Sequence, residues 1–236
     1  MFDIVFLSYD EPRADELYHR ISSVSKIPVK RLHGVRGMAR AYRLTCELAD
    51  TDQYFIADAD LAVRNGFDFD HVDELPDGTD MAVWKTRNPV TGAIYGYGGL
   101  KLCRRDAVRQ LEPRMLDVLA ALPGSVRFRA DIAGETCFNQ SPFHAWRAGF
   151  RECCMLATGE DEYGTRRETV QRQLRAWLEP PRAVPFADWA ARGARAGIDF
   201  SAASERDPAA LQQINDPEWL RGRFATRPDG AQRGIG

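Results

Sequence analysis

Apolar residues come in short unbroken runs over the first half of the chain and at helical spacing over the second. Phe2 to Ser8 is an apolar run that ends in the polar loop Ser8-Tyr9-Asp10-Glu11-Pro12. It predicts a buried strand with a loop at its carboxyl end. Pro12 suits the first turn of a helix reaching about Ser22. Val29 to Leu32 predicts a second short strand, Gly34-Val35-Arg36-Gly37 a turn, and Met38 to Leu48 a helix. Asp52 to Ala57 predicts another strand, running into Asp58-Ala59-Asp60, with Val63 to Phe69 irregular. Met81 to Lys85 and Leu100 to Cys103 read as strands flanking a Gly-rich turn. Asp106 to Leu122 reads as a helix broken near Pro113. A second long helix is expected within Phe138 to Leu156, with Pro142 at its first position.

Strand patterns stop after about Thr158. Arg166 to Leu178 predicts an amphipathic basic helix, and Asp188 to Ala196 and Pro217 to Phe224 two shorter ones. The expected layout is an α/β body over 1–157, a helical Arg-rich extension over 158–225 and a disordered tail over 226–236. Composition narrows the class only a little. Across 236 residues, 32 Lys and Arg stand against 34 Asp and Glu, and 44% of residues are hydrophobic. Such values exclude collagen-like and wholly disordered chains. A net charge of −2 confines any nucleic-acid surface to a local patch. No run approaches the ~20 apolar residues of a membrane span. The first residues read as a strand rather than a leader, so a cytoplasmic location is expected. The five cysteines form no CxxC pair, which predicts reduced and mostly buried thiols.

The sharpest chemical signal is Tyr54-Phe55-Ile56-Ala57-Asp58-Ala59-Asp60. Two carboxylates two apart follow an apolar strand, where open α/β sheets place their ligands. On an extended backbone both side chains lie on one side and approach one hard divalent cation, which would bridge a diphosphate. A bare Asp-x-Asp is also compatible with a solvated loop or a helix cap.

Three segments extend this reading. They run from His33-Gly34-Val35-Arg36-Gly37 to Asp58-Ala59-Asp60, from Trp84-Lys85-Thr86-Arg87-Asn88-Pro89-Val90 to Leu102, and from Cys137-Phe138-Asn139-Gln140-Ser141-Pro142-Phe143-His144 to Cys153. In that order they resemble bacteriophage glycosyltransferases of GT-A type associated with DNA hypermodification and related to the base J glucosyltransferases. The resemblance covers roughly 1–157. It implies a GT-A-like nucleotide-diphospho-sugar transferase fold, with a mixed, mostly parallel sheet flanked by helices. It implies a divalent metal, Mn²⁺ or Mg²⁺, and a nucleotide-diphosphate sugar as donor, UDP-linked by preference. The acceptor would be the hydroxymethyl group of 5-hydroxymethylcytosine or 5-hydroxymethyluracil in DNA, in a host cytoplasm if the chain is phage-encoded. The same fold acting on a glycan, protein or small molecule, and a non-catalytic binding scaffold, remain open readings. A nucleotidyltransferase is disfavoured by the lack of an N-terminal Gly-rich, Lys-containing loop.

Site residues follow from these patterns and the resemblance together. Asp58, Asp60 and His144 are the expected metal ligands, with Asp58 alternatively on the ribose. Ser8, Tyr9, Asp10, Arg36, Arg87 and Asn88 are expected to hold the donor. Trp84, Tyr95, Tyr97, Gly98, Gly99, Arg147 and Arg151 are expected to face the acceptor. Asp131 and Glu135 are the candidate general bases, Asp131 preferred.

Overall fold

The computed structural model describes residues 1–112, 116–158, 167–205 and 207–226. The chain divides into two compact units, Met1–Gln140 and the part from Ser141 onward. The first unit holds one sheet, and its strands are β1 Asp3–Ser8, β2 Val29–His33, β3 Gln53–Asp58, β4 Leu61–Val63, β5 Thr79–Arg87, β6 Ile94–Tyr95, β7 Leu100–Arg104 and β8 Ser125–Thr136. The order across the sheet is β2-β1-β3-β7-β5-β8-β4, with β6 also on β5. β1 runs parallel to β2 and β3. β7 lies antiparallel to both β3 and β5, and β8 parallel to β5. β1, β2, β3, β5 and β8 therefore share one direction, and β7, β4 and β6 oppose it. The sheet is mixed and mostly parallel in direction, with helices on its faces.

Each buried strand feeds two cores by alternation. Ile4, Phe6, Phe55, Ala57, Ala82, Trp84, Leu100 and Leu102 face one core, closed by Leu17 and Ile21 of α1 (Ala14–Val24). Val5, Tyr54, Ile56, Met81, Val83 and Cys103 face the other. That second core is closed by Tyr42 and Cys46 of α2 (Met38–Leu48) and Val108 of α3 (Arg105–Arg109). All five cysteines are free and buried. Burial pushes the Cys137 and Cys154 thiols up to about 11.

Three elements differ from the sequence reading. The helix expected over Asp106 to Leu122 is helical only over Arg105–Arg109, and its suspected break at Pro113 lies outside the described residues. A three-residue strand, β4, begins at Leu61, just before the stretch expected to be irregular. β8, the longest strand, was not anticipated, because Arg127, Arg129 and Asp131 interrupt every apolar run in it.

The second unit is helical: α4 Pro142–Thr158, α5 Arg167–Leu178, α6 Ala187–Ala203, the short α7 Pro208–Leu211 with a 3₁₀ turn, and α8 Pro217–Ala225. Pro142 and Pro217 stand at the starts expected of them. Arg166 and 227–236 fall outside the described residues. The unit boundary precedes α4, whereas the sequence reading put it at 157. The reason is a close helix crossing. A Cβ on Gly193 would lie 2.0 Å from the Trp146 carbonyl oxygen, and one on Gly197 2.1 Å from that of Phe150. These glycines let α6 seat its backbone on α4. Around the crossing Trp146, Phe150, Phe200 and Trp219 pack ring against ring. Among the described residues no helix is long and apolar enough to cross a membrane.

Candidate active site

Because five strands share a direction, their carboxyl ends meet one rim of the sheet. Tyr9 and Asp10 follow β1, the Gly34–Gly37 turn follows β2, and Asp58 closes β3. Arg87 closes β5, and Glu135 stands one residue before the end of β8. This is the edge where open α/β sheets bind ligands. Backbone bonds knit it together. Ala59 N–H donates to Leu7 O, Asp58 N–H to Gly99 O at 2.9 Å and Cys137 N–H to Asp60 O at 2.6 Å. Arg13 N–H donates to Gln140 Oε1 at 2.8 Å, which ties the loop after β1 to the segment after β8.

The two aspartates do different things. β3 stops at Asp58, and Ala59-Asp60 is a turn into β4, so the extended backbone that would set both carboxylates on one side is absent. Ile56 lies opposite Lys101 on β7, and Asp58, two residues on, points to the same face. Lys101 is 1% exposed, and its ammonium donates to both Asp58 oxygens, at 2.9 and 2.8 Å. Its third donor goes to Tyr42 Oη at 2.5 Å, and the Tyr42 ring lies 4.9 Å from it. Burial first, then the Asp58 charge, pushes the Tyr42 hydroxyl well above its ordinary value, so it stays a neutral acceptor. An ammonium taken out of water costs several kcal/mol, and only so complete a partner set offsets that. Asp60 instead accepts from Tyr97 Oη at 3.3 Å. The Tyr97 ring packs edge-on against Phe138 at 4.6 Å.

Among the described residues no three His, Cys, Asp or Glu side chains gather as a cation site. The expected set of Asp58, Asp60 and His144 spans both units. His144 serves the first turn of α4, where its Nδ1 meets Ser141 Oγ at 2.7 Å and its N–H donates to the same oxygen.

The other expected residues sort by exposure. Trp84 is corrected to a core residue: it is 2% exposed and packs on Phe55 and Phe67. Asn88 is fully buried and orders the loop after β5. Its Oδ1 accepts from Val90 N–H and its Nδ2 donates to Tyr95 Oη at 3.2 Å. Ser8 is buried too, with its hydroxyl 2.9 Å from His33 Nδ1. Arg36 and Arg87 are exposed on the rim, and Tyr9, Asp10, Tyr95 and Tyr97 are partly buried there. Gly98 holds φ +95°, and Gly34 and Gly37 hold +74° and +91°, as the turns require. Glu135 and Asp131 are both exposed, but β8 sets them apart. Glu135 pairs with Arg87 on one side and Ala62 on the other, next to the Asp60 turn. Asp131 lies four residues earlier on the strand, where the register of β8 on β5 shifts. Arg147 and Arg151 belong to the second unit. There Arg147 stacks on Phe143 at 5.6 Å and Arg151 donates to Asn215 at 2.9 Å.

The sequence reading missed Lys101 and Tyr42, although a lone charge in Leu100-Lys101-Leu102-Cys103 was the available signal. It also missed a cleft of about 450 Å³ lined by Glu11, Pro12, Ala14, Asp15, Arg31 and His33, at the ends of β1 and β2. Arg31 there bonds Asp15 at 2.6 Å and lies over the Tyr18 ring.

No protein-family model matches the chain, and neither does any curated protein sequence. Solved structures similar to it include the following two. HddC from Yersinia pseudotuberculosis gives a TM-score of 0.40 at 10% identity, over 56% of this chain and 90% of that one. The mannosyltransferase PcManGT from Pyrobaculum calidifontis, in complex with GDP-Man and Mn²⁺, gives 0.45 at 13% identity, over 96% of this chain and 81% of that one. Residue roles rest on the geometry of the rim itself.

Proposed function

We propose that this chain is a glycosyltransferase that moves a sugar from a nucleotide-diphosphate sugar to an acceptor hydroxyl. One observation carries the reading. The Asp60 carboxylate stands on the turn after β3, at the rim where five strands end, joined to the Tyr97 loop and beside Glu135. A hard cation such as Mn²⁺ or Mg²⁺ is held by one or two carboxylates together with phosphate oxygens, so the donor set fits without a closed protein cage. Asp60 would hold it, and the bound cation would offset the charge of the departing diphosphate. The cleft by Arg31 and His33 and the loop of Tyr9 and Asp10 offer a ring and hydroxyl contacts to the nucleoside.

In the inverting form of the reaction, the acceptor oxygen bonds to the anomeric carbon as the carbon–oxygen bond to the diphosphate breaks. The acceptor proton passes to a carboxylate, for which we favour Glu135 over Asp131 because it adjoins the Asp60 turn. Tyr95 and Tyr97 flank the acceptor side. The acceptor we favour is the hydroxymethyl group of 5-hydroxymethylcytosine or 5-hydroxymethyluracil in DNA. It is supported by the resemblance of the three segments and by the tyrosines available for stacking on a base.

The test is incubation with Mn²⁺, UDP- and GDP-sugars, and DNA carrying either base, followed by mass spectrometry of the digested nucleosides. A sugar-sized mass gain on one base is expected. Metal-dependent donor hydrolysis without any gain on DNA would move the acceptor to another class. The absence of both gain and hydrolysis would refute the glycosyltransferase reading.

A further inference from the structure

Lys101 is a charge with no exit. It sits on a strand buried on both faces, is 1% exposed, and its three N–H donors meet three acceptors: both oxygens of Asp58 and the hydroxyl of Tyr42. The carboxylate it grips is the first of the pair on which the glycosyltransferase reading rests, and the inference rests on that reading. We propose that Lys101, steadied by Tyr42, is a positioning residue that locks Asp58 and keeps the divalent cation on Asp60.

The physical case has three steps. A carboxylate held through both oxygens by one ammonium has a fixed orientation, whereas a rim carboxylate otherwise rotates. Asp58 keeps 26% of its side chain exposed, so lone pairs still face the rim and suit the hydroxyls of a bound ligand. A second cation arriving there meets the ammonium's repulsion across a poorly hydrated gap, where charge is weakly screened. Asp60, on the turn beyond the strand, accepts from the neutral Tyr97 hydroxyl, and the Lys101 donors are all taken up by Asp58 and Tyr42. The register explains why the lysine is there. Ile56 and Lys101 lie opposite each other and Asp58 follows Ile56 by two residues on the same face, which brings the ammonium within reach of the carboxylate.

The experiment measures Mn²⁺ binding to the full chain by electron paramagnetic resonance with UDP present, and melting by circular dichroism. Asp58→Asn is expected to leave the Mn²⁺ Kd within threefold, and Asp60→Asn to weaken it at least thirtyfold. Lys101→Met, if folded, is expected to tighten Mn²⁺ binding at least fivefold, because Asp58 is released to the cation. Asp58→Asn/Lys101→Met, which leaves no unpaired charge, should return to within threefold of wild type. A purely structural lysine would change melting and leave the Mn²⁺ Kd alone. An unchanged Kd in folded Lys101→Met overturns the proposal. So does loss of binding in Asp58→Asn as complete as in Asp60→Asn. Should Lys101→Met not fold, Lys101→Gln, which keeps a donor to Asp58 and removes the charge, is read in its place: tighter Mn²⁺ binding supports the assignment and an unchanged Kd overturns it. Absence of Mn²⁺ uptake by wild type would overturn the metal reading together with this one, whereas the contrary results in a binding wild type overturn this one alone.

Discussion

At the scale of single residues, the rim separates carboxylates that look alike in the sequence. Asp58 is locked by Lys101, Asp60 meets a tyrosine, Glu135 adjoins the Asp60 turn, and Asp131 stands back along β8. Asp60→Ala is expected to lower metal-dependent transfer at least a hundredfold while the melting temperature moves by no more than a few degrees, since the side chain stands on a turn and not in either core. Initial rates with and without chelator, alongside a melt, check both halves. Glu135→Gln should reduce kcat by 10²–10⁴-fold, the usual contribution of a general base, with donor hydrolysis and donor KM little changed. Asp131→Asn should retain most of kcat. The reverse ranking would hand the base to Asp131. The pair of aspartates was legible because carboxylates after an apolar strand are rare enough to notice. Their different fates were not, because they depend on a lysine 43 residues away from Asp58. Trp84 and Asn88 were misread for a related cause: a residue near a strand end is exposed only if no other element covers it. Phe55 and Phe67 cover Trp84, and the loop of Val90 and Tyr95 closes over Asn88.

At the scale of elements, the strands buried on both faces announced themselves, and the long exposed β8 did not. β1, β3 and β5 read as apolar runs because helices or loops cover both faces of the sheet there. β8 alternates Val126, Phe128, Ala130 and Ile132 with Arg127, Arg129 and Asp131 in sequence, a period of two, although Phe128 and Ala130 are exposed and its register on β5 shifts. Reading for alternation rather than for runs would have found it. In the second unit α4 and α8 were legible from their Pro starts, but the partner choice of α4 and α6 was not. That choice lies in Gly149, Gly193 and Gly197, residues that lower helix propensity. Gly193→Ala would raise it by about 1 kcal/mol, yet the new methyl meets backbone of α4 at 2.0 Å, and backbone does not yield as a flexible side chain does. Forcing two packed helices apart costs about 1–3 kcal/mol or more. Net destabilisation is therefore expected for Gly193→Ala and Gly197→Ala, read as a lower urea midpoint. Gly222→Ala, where nothing lies within 4 Å of the added carbon, should be neutral or slightly stabilising. Equal midpoints for all three would show that the crossing relaxes freely.

At the scale of the whole molecule, the rim that carries the proposed chemistry depends on strands pinned at the opposite end of the sheet. Asp3 starts β1 there, and its Oδ2 accepts from Asp50 N–H at 2.5 Å, from Thr51 N–H at 3.3 Å and from Lys30 Nζ at 3.0 Å. One carboxylate thus ties β1 to β2 and to the turn that feeds β3. Burial by itself would push the Asp3 pKa up, but the Asp50 amide and the Lys30 ammonium outweigh it, and the net direction is down. A carboxylate whose folded pKa is depressed binds fewer protons than its unfolded counterpart. Its stabilisation is then complete above the ordinary aspartate value near ~4 and is lost as pH falls through the lowered folded value. Asp3→Asn should lower stability by roughly 1–2 kcal/mol at pH 7, the scale of hydrogen bonds to a charged group. The difference should shrink below pH ~4, as the wild-type carboxylate protonates. Melting temperatures of both proteins between pH 2 and 7 give the comparison. Curves that stay parallel down to pH 2 would mean that the Asp3 charge does not hold the sheet. Curves that converge in acid while transfer at neutral pH survives would place this clamp in the scaffold and leave the chemistry to the far rim.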